Sequence, residues 1–329
     1  MATGILLLVP LLAEGGSGPI TQVPQPNYPG TLLYLSRGGI WQMNLATLQR
    51  QSFLQVPNAT ITHISHSWDH QRVAYSTSVR GAGFELLESS IIVASADGSE
   101  PRTVVHEDRT GATVEWPAWS PDGSRLVYTK TLFTSRIQRV EEVDLTTEAR
   151  GLVAEAGSSP AYSADGESIV FASPAGRTWS IWRAPRGGDG STVLVSEVGF
   201  EDVDHPLYAR GGELVAFVAA GPGPDVSTRA PARGAGLLGQ PFFSTASAHP
   251  LPGSEFDLWT IRPDGSGLRR AAELLSEEPH ITWSPDGRYL ASWGRLGLQI
   301  VDVTSDSPLG YTVRWLTALP SGGPISWGQ

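Results

Sequence analysis

The chain contains no cysteine. Disulfides, thiol catalysis and cysteine-based zinc sites are therefore excluded. Long hydrophobic runs are also missing. The longest candidate, Ile5 to Leu12, is interrupted by Pro10 and falls well short of the about 20 residues that a membrane helix needs. Basic charge is scarce: 23 Lys and Arg stand against 33 Asp and Glu, for a formal net charge of −10. Broad nucleic-acid binding, which requires a basic footprint, is not expected. No Gly-x-Ser-x-Gly elbow, phosphate-binding loop or calcium hand occurs. Gly234-Ala235-Gly236-Leu237-Leu238-Gly239 matches the dinucleotide fingerprint by letter only. It follows the strand-poor stretch Arg229-Ala230-Pro231-Ala232-Arg233, and Pro241 stands where a helix should continue.

What the chain does have is a repeated phrase. An aromatic residue is followed by Ser-Pro-Asp-Gly and then by a β-rich run. Trp119-Ser120-Pro121-Asp122-Gly123 and Trp283-Ser284-Pro285-Asp286-Gly287 are the clearest copies, with Tyr162-Ser163-Ala164-Asp165-Gly166 close behind. His66-Ser67-Trp68-Asp69 and Tyr208-Ala209-Arg210-Gly211-Gly212 are degraded copies, and Trp327-Gly328-Gln329 is a partial sixth. A β-rich period of roughly 40 to 50 residues is the signature of propeller blades. A second marker, Asp-Gly-Ser, recurs at Asp97, Asp189 and Asp264 between β runs and reads as a hairpin turn.

The expected fold is an all-β six-bladed propeller with four-stranded antiparallel blades. Leu32-Leu33-Tyr34-Leu35 resembles a second strand without a first, and Pro324-Ile325-Ser326-Trp327 a first strand without a second. The C-terminal strand should therefore complete the first blade and close the ring, removing exposed edges. Residues 1–30 read as an apolar segment and linker, the possible remnant of an export signal, and 31–329 as one propeller. Within it, 219–255 is a Gly- and Pro-rich insertion in the fifth blade.

These phrases resemble the repeats of the TolB-type six-bladed propeller family, from about Thr31 to the end. The α/β domain that precedes the propeller in TolB has no counterpart here. The resemblance implies an extracytoplasmic bacterial protein, periplasmic or envelope-associated, often one that binds partners. It implies no single chemistry. Some TolB-like lyases of the pectin-degrading type hold a metal with histidine ligands.

Strand parity places the short Asp-Gly turns on one face of the ring. The longer connections, between the second and third strands (b–c) and from one blade to the next, lie on the other, where loops commonly carry function. The expected activity is non-catalytic binding or assembly, with a protein or peptide partner docking on the b–c face. The chain would then act as a monomer or as a subunit of a larger assembly. Phe242 and Phe243, with Arg229 and Arg233, are the candidate contacts within the insertion. No catalytic residue and no cofactor are expected, no nucleic acid is a partner, and no segment spans a membrane. Six residues before each turn Asp, or its equivalent, stand His63, Trp116, Ser159, His205, His280 and Pro324. These positions begin the inner strands and ring the channel mouth. His63, His205 and His280 therefore form either a polar lining or a divalent-metal site. The metal would serve the alternative function, a carbohydrate-active lyase or hydrolase working in the central funnel.

Overall fold

A computed structural model of the chain describes residues 28–329, apart from 37, 84, 109–110, 177, 188–189, 197–198, 222, 224–254, 277–278, 295–296, 304–311 and 318–322. The described residues form strands, turns and bends, with no helix. Blade one takes β1 (Thr31–Ser36), β2 (Gly39–Asn44) and β3 (Arg50–Leu54). Blade two is β4 (Thr60–His66), β5 (Arg72–Arg80), β6 (Leu86–Ser95) and β7 (Arg102–Glu107). Blade three is β8 (Ala112–Trp119), β9 (Arg125–Leu132), β10 (Ile137–Asp144) and β11 (Arg150–Ala154). Blade four is β12 (Ser158–Tyr162), β13 (Ser168–Ala175), β14 (Thr178–Pro185) and β15 (Thr192–Val195). Blade five is β16 (Asp202–Tyr208), β17 (Val215–Ala220), β18 (Phe256–Ile261) and β19 (Arg269–Ser276). Blade six is β20 (His280–Trp283), β21 (Tyr289–Gly294), β22 (Gly297–Asp302) and β23 (Thr312–Thr317). The last strand, β24 (Ile325–Gly328), pairs antiparallel with β1 and supplies the inner strand of blade one. The expected ring closure is therefore present.

The repeated phrase works as a hydrogen-bonded lock. Ser120 Oγ donates to Asp122 Oδ1 at 2.6 Å and accepts from the Arg125 amide at 3.0 Å. Ser67, Ser163 and Ser284 make the same pair of bonds in their own blades. The Asp carboxylate also accepts the amide two residues on, so it fixes the turn from inside. Gly123, at φ 68°, sits where a side chain would be strained. In blade five Ala209 and Gly211 stand where Ser and Asp are found elsewhere. Only the backbone bonds Ala209 N to Leu214 O and Gly212 N to Ala209 O remain.

The aromatic residue of the phrase ties its blade to the one before. Trp119 Nε1 donates to Ser65 O of blade two at 3.3 Å, and Trp283 Nε1 to Leu207 O of blade five at 3.1 Å. Apolar side chains fill the space between each adjacent pair of blades. Ile91, Val105, Tyr128 and Val143 join blades two and three, for example, and Trp293, Leu298, Leu32 and Trp327 join blades six and one. The middle strands are covered on both faces, so β17 reads Val-Ala-Phe-Val-Ala-Ala with every residue buried.

Candidate functional site

The inner strands converge on a central channel, and a backbone irregularity decides what enters it. Register shifts interrupt the inner strands of blades two to five, at Ile61/His63, Glu115/Ala118, Ser158/Ala161 and Asp204/Leu207. Trp116, Ser159 and His205 adopt φ of 57°, 51° and 53° there. Each is followed by a proline: Pro117, Pro160 and Pro206. Proline cannot donate to a ladder and is tolerated within a sheet at such bulges. This recurring X-Pro step six residues before the turn is a signal of the bulges that is legible in the sequence itself.

The bulged residues meet at the channel mouth. The ring of Trp116 lies 3.9 Å from that of His63, 4.3 Å from His205 and 5.6 Å from His280, centroid to centroid. His205 and His280 are 5.4 Å apart on the same measure. The three candidate histidines therefore come together, but they gather around the indole of Trp116. Burial, with a contribution from His205, pulls the pKa of His63 down to about 3. Burial also holds His280 well below the ordinary histidine range, helped by His205 and His63. Both are neutral at physiological pH. Both ring nitrogens of His205 and Nδ1 of His280 are buried with no hydrogen-bond partner. His205 Nδ1 is 3.4 Å from Asp204 Oδ2, close enough for an ion pair but without hydrogen-bond alignment.

Coordination requires nitrogens about 2.1 Å from one point. With the indole wedged among the imidazoles, no group of three or more His, Asp or Glu side chains among the described residues is disposed to hold an ion.

The channel continues inward as a cavity of about 170 Å³. Its far end, under the turn face, is crossed by one side chain. Arg210 of blade five reaches blade two, donating from Nη1 to Trp68 O and from Nη2 to Ser67 O at 3.4 Å. Its guanidinium carbon stands 5.4 Å from the centre of the Trp68 ring. Nearby, His66 Nδ1 is 2.9 Å from Ser326 Oγ on the closing strand. Burial, followed by His70 and Arg210, brings His66 to about 3; burial and Arg210 bring His70 to about 4.

Solved structures with this arrangement of blades exist. TolB from Acinetobacter baumannii superposes with a TM-score of 0.65 at 15% identity, over 92% of this chain and 67% of that one. The fold is that of the TolB-type propeller. Nidogen, solved in a complex with laminin, gives a TM-score of 0.62 at 14% identity over 92% and 99% of the two chains. An oligogalacturonate lyase from Vibrio parahaemolyticus gives 0.52 at 12% identity over 83% and 74%. No protein-family model and no curated protein sequence matches the chain.

Arg229, Arg233, Phe242 and Phe243 lie outside the described residues. The two ends of their segment do not: Ala220 of β17 and Phe256 of β18 are ladder partners, so the insertion leaves and re-enters the blade at one point. Glu107, at the end of β7, is a point of charge pairing between blades two and three. It accepts from Lys130 at 2.8 Å and from Arg150 at 3.2 Å. Among the described residues, no helix is long and apolar enough to cross a membrane.

Proposed function

We propose that the chain is a non-catalytic propeller that works outside the cytoplasm, in or near the cell envelope, and binds a protein or peptide partner on its b–c face. The contrast between the two faces carries this reading. On one face, Ser–Asp locks hold the turns after the inner strands of blades two, three, four and six in a tight hydrogen-bonded form that offers little adaptable surface. On the other, a long Gly- and Pro-rich segment bearing Phe242 and Phe243 leaves blade five from paired strand ends. Buried aromatics are the residue type that anchors interfaces. The likeness to nidogen, a propeller solved with a protein partner, supports the same use of the fold. The TolB-like repeats support the location.

Because Ala220 and Phe256 are ladder partners, residues 224–254 should be replaceable by a short Gly-Ser turn without opening the blade. The expected result is a melting temperature within a few degrees of the parent, together with loss of the partner in affinity purification from the native source. Phe242→Ala with Phe243→Ala should weaken capture at least tenfold. A shortened chain that holds its partner at full affinity would move the interface elsewhere.

The second reading is a metal-assisted enzyme acting on carbohydrate from the funnel. The gathering of His63, His205 and His280 at the mouth and the likeness to a lyase support it. It requires Trp116 to leave the ring of imidazoles. One equivalent of divalent metal in the purified protein, absent from a His63→Ala, His205→Ala, His280→Ala variant, would select it. Metal-free protein that binds its partner selects the first.

A further inference from the structure

The two degraded copies of the turn phrase carry large side chains at one shared position. Where Pro121 and Pro285 stand in blades three and six and Ala164 in blade four, blade two has Trp68 and blade five has Arg210. In a ring of six, blades two and five face each other across the axis. Their two exceptional residues meet there, with the Arg210 guanidinium on the Trp68 carbonyl and beside its indole. Trp68 is held in turn by a bond from its Nε1 to Trp119 O at 3.0 Å. The turn-face end of the channel thus has a floor.

That floor carries a charge that Asp69 attracts but does not pair with directly. Arg210 is half-buried, and both acceptors it reaches are neutral carbonyls. The closest acid in sequence to those carbonyls, Asp69, already accepts from Ser67 Oγ and the Gln71 amide. No carboxylate among the described residues forms an ion pair with Arg210. A cation taken out of water is costly unless it is paired, and guanidinium offers five donors in a planar fork, of which two carbonyls use only part. The cavity above it is walled by aromatic residues of the phrase, Trp68, Trp119, Tyr162 and Trp283. At the opposite end, His205 and His280 hold unpartnered ring nitrogens.

We propose that the channel is a blind pocket for a small monocarboxylate, bound with its carboxylate on Arg210 and its apolar body against the aromatic wall. Three features set the ligand class. One fixed cation, which Asp69 attracts without forming an ion pair, suits at most a single further negative charge, whereas phosphate, partly dianionic at neutral pH, would leave excess charge in a desolvated site. The neutral imidazoles of His63 and His280 at the mouth add hydrogen bonding but no further positive charge. The volume, about 170 Å³, is close to the roughly 150 Å³ of a cavity known to admit benzene. An aromatic acid of benzoate size meets all three. This pocket lies inside the ring, and its mouth opens on the same face as the b–c connections.

Calorimetric titration of the full chain with benzoate, benzamide and inorganic phosphate tests the proposal. Expected is saturable one-site binding of benzoate, with benzamide and phosphate at least tenfold weaker. Arg210→Gln should lower benzoate affinity at least tenfold while leaving the circular dichroism spectrum unchanged. If Arg210→Gln does not fold, a benzoate-soaked crystal of the parent protein decides: a carboxylate on the guanidinium supports the pocket, and its absence there overturns it. Equal binding of benzoate and benzamide, binding of neither, or parent-like affinity in a folded Arg210→Gln would also overturn it. Arg210 would then be a cross-channel brace only.

Discussion

A variant lacking residues 322–329 is expected to lose its cooperative melting transition, or to melt roughly 10 °C or more below the parent. β24 is four residues long, but its contribution is concentrated. Ile325 and Trp327 are 6% and 2% exposed, and Trp327 Nε1 donates to Pro29 O at 2.9 Å. The strand also holds β1 through four register pairs and carries the hydroxyl of Ser326 that bonds the backbone and ring of His66. Trp327→Ala alone should cost about 3–5 kcal/mol, the usual range for truncating a buried large aromatic. Losing the whole strand opens the ring and bares an inner edge of β1, which invites pairing with other chains. Against a typical net stability of about 5–15 kcal/mol, that loss is decisive. Calorimetry on the two variants checks it; an unchanged melting temperature in the deletion would refute closure by this strand.

Acid should unfold the protein at or just above the pH at which carboxylates titrate. His63 and His66 are held at about 3, His70 at about 4, and His280 well below its ordinary value. In the unfolded chain each titrates near 6.5. As pH falls below about 6.5 the unfolded chain therefore takes up protons that the folded chain refuses, and stability drops. Each such proton deepens the loss as the pH falls, so the effect of the four histidines accumulates between about pH 6 and 4. Asp202 works in the other direction. Burial and the neighbouring Asp204 raise it to about 7, so the folded chain binds its proton while an unfolded Asp, near 3.9, does not. Its contribution improves as pH falls from 7 to 4, but it is one group against four. Asp122, held at about 2 by Ser120 and the Ser124 amide, adds to the loss only below about pH 4.

The expected transition therefore lies between about pH 4 and 5, followed by tryptophan fluorescence and near-ultraviolet circular dichroism together. Asp202→Asn, which keeps an acceptor for the Val203 amide, should raise the melting temperature at pH 8 and leave it nearly unchanged at pH 4. Native spectra persisting to pH 3 would show that the histidines are not kept neutral by burial.

The sequence by itself determined the blades, their order and the way the ring closes. It did so because the information is local. Ser120, Asp122 and Arg125 bond one another within five residues, so the phrase that makes the turn is also the phrase that repeats. The missing inner strand of blade one and the surplus strand at the end were equally legible, since each is a gap or an excess in a fixed strand count. The alignment that put His63, Trp116, His205 and His280 at one level of the channel was legible for the same reason. What they do at that level was not. Whether three imidazoles meet on an ion or around an indole depends on bulges that turn Trp116 and His205 inward, and on the diameter that six packed blades impose. The worn phrases in blades two and five read as decay of the repeat. Only the closed ring shows that Trp68 and Arg210, 142 residues apart, face each other across the axis. A contact over that span is fixed by the packing of every blade between, and no local pattern encodes it.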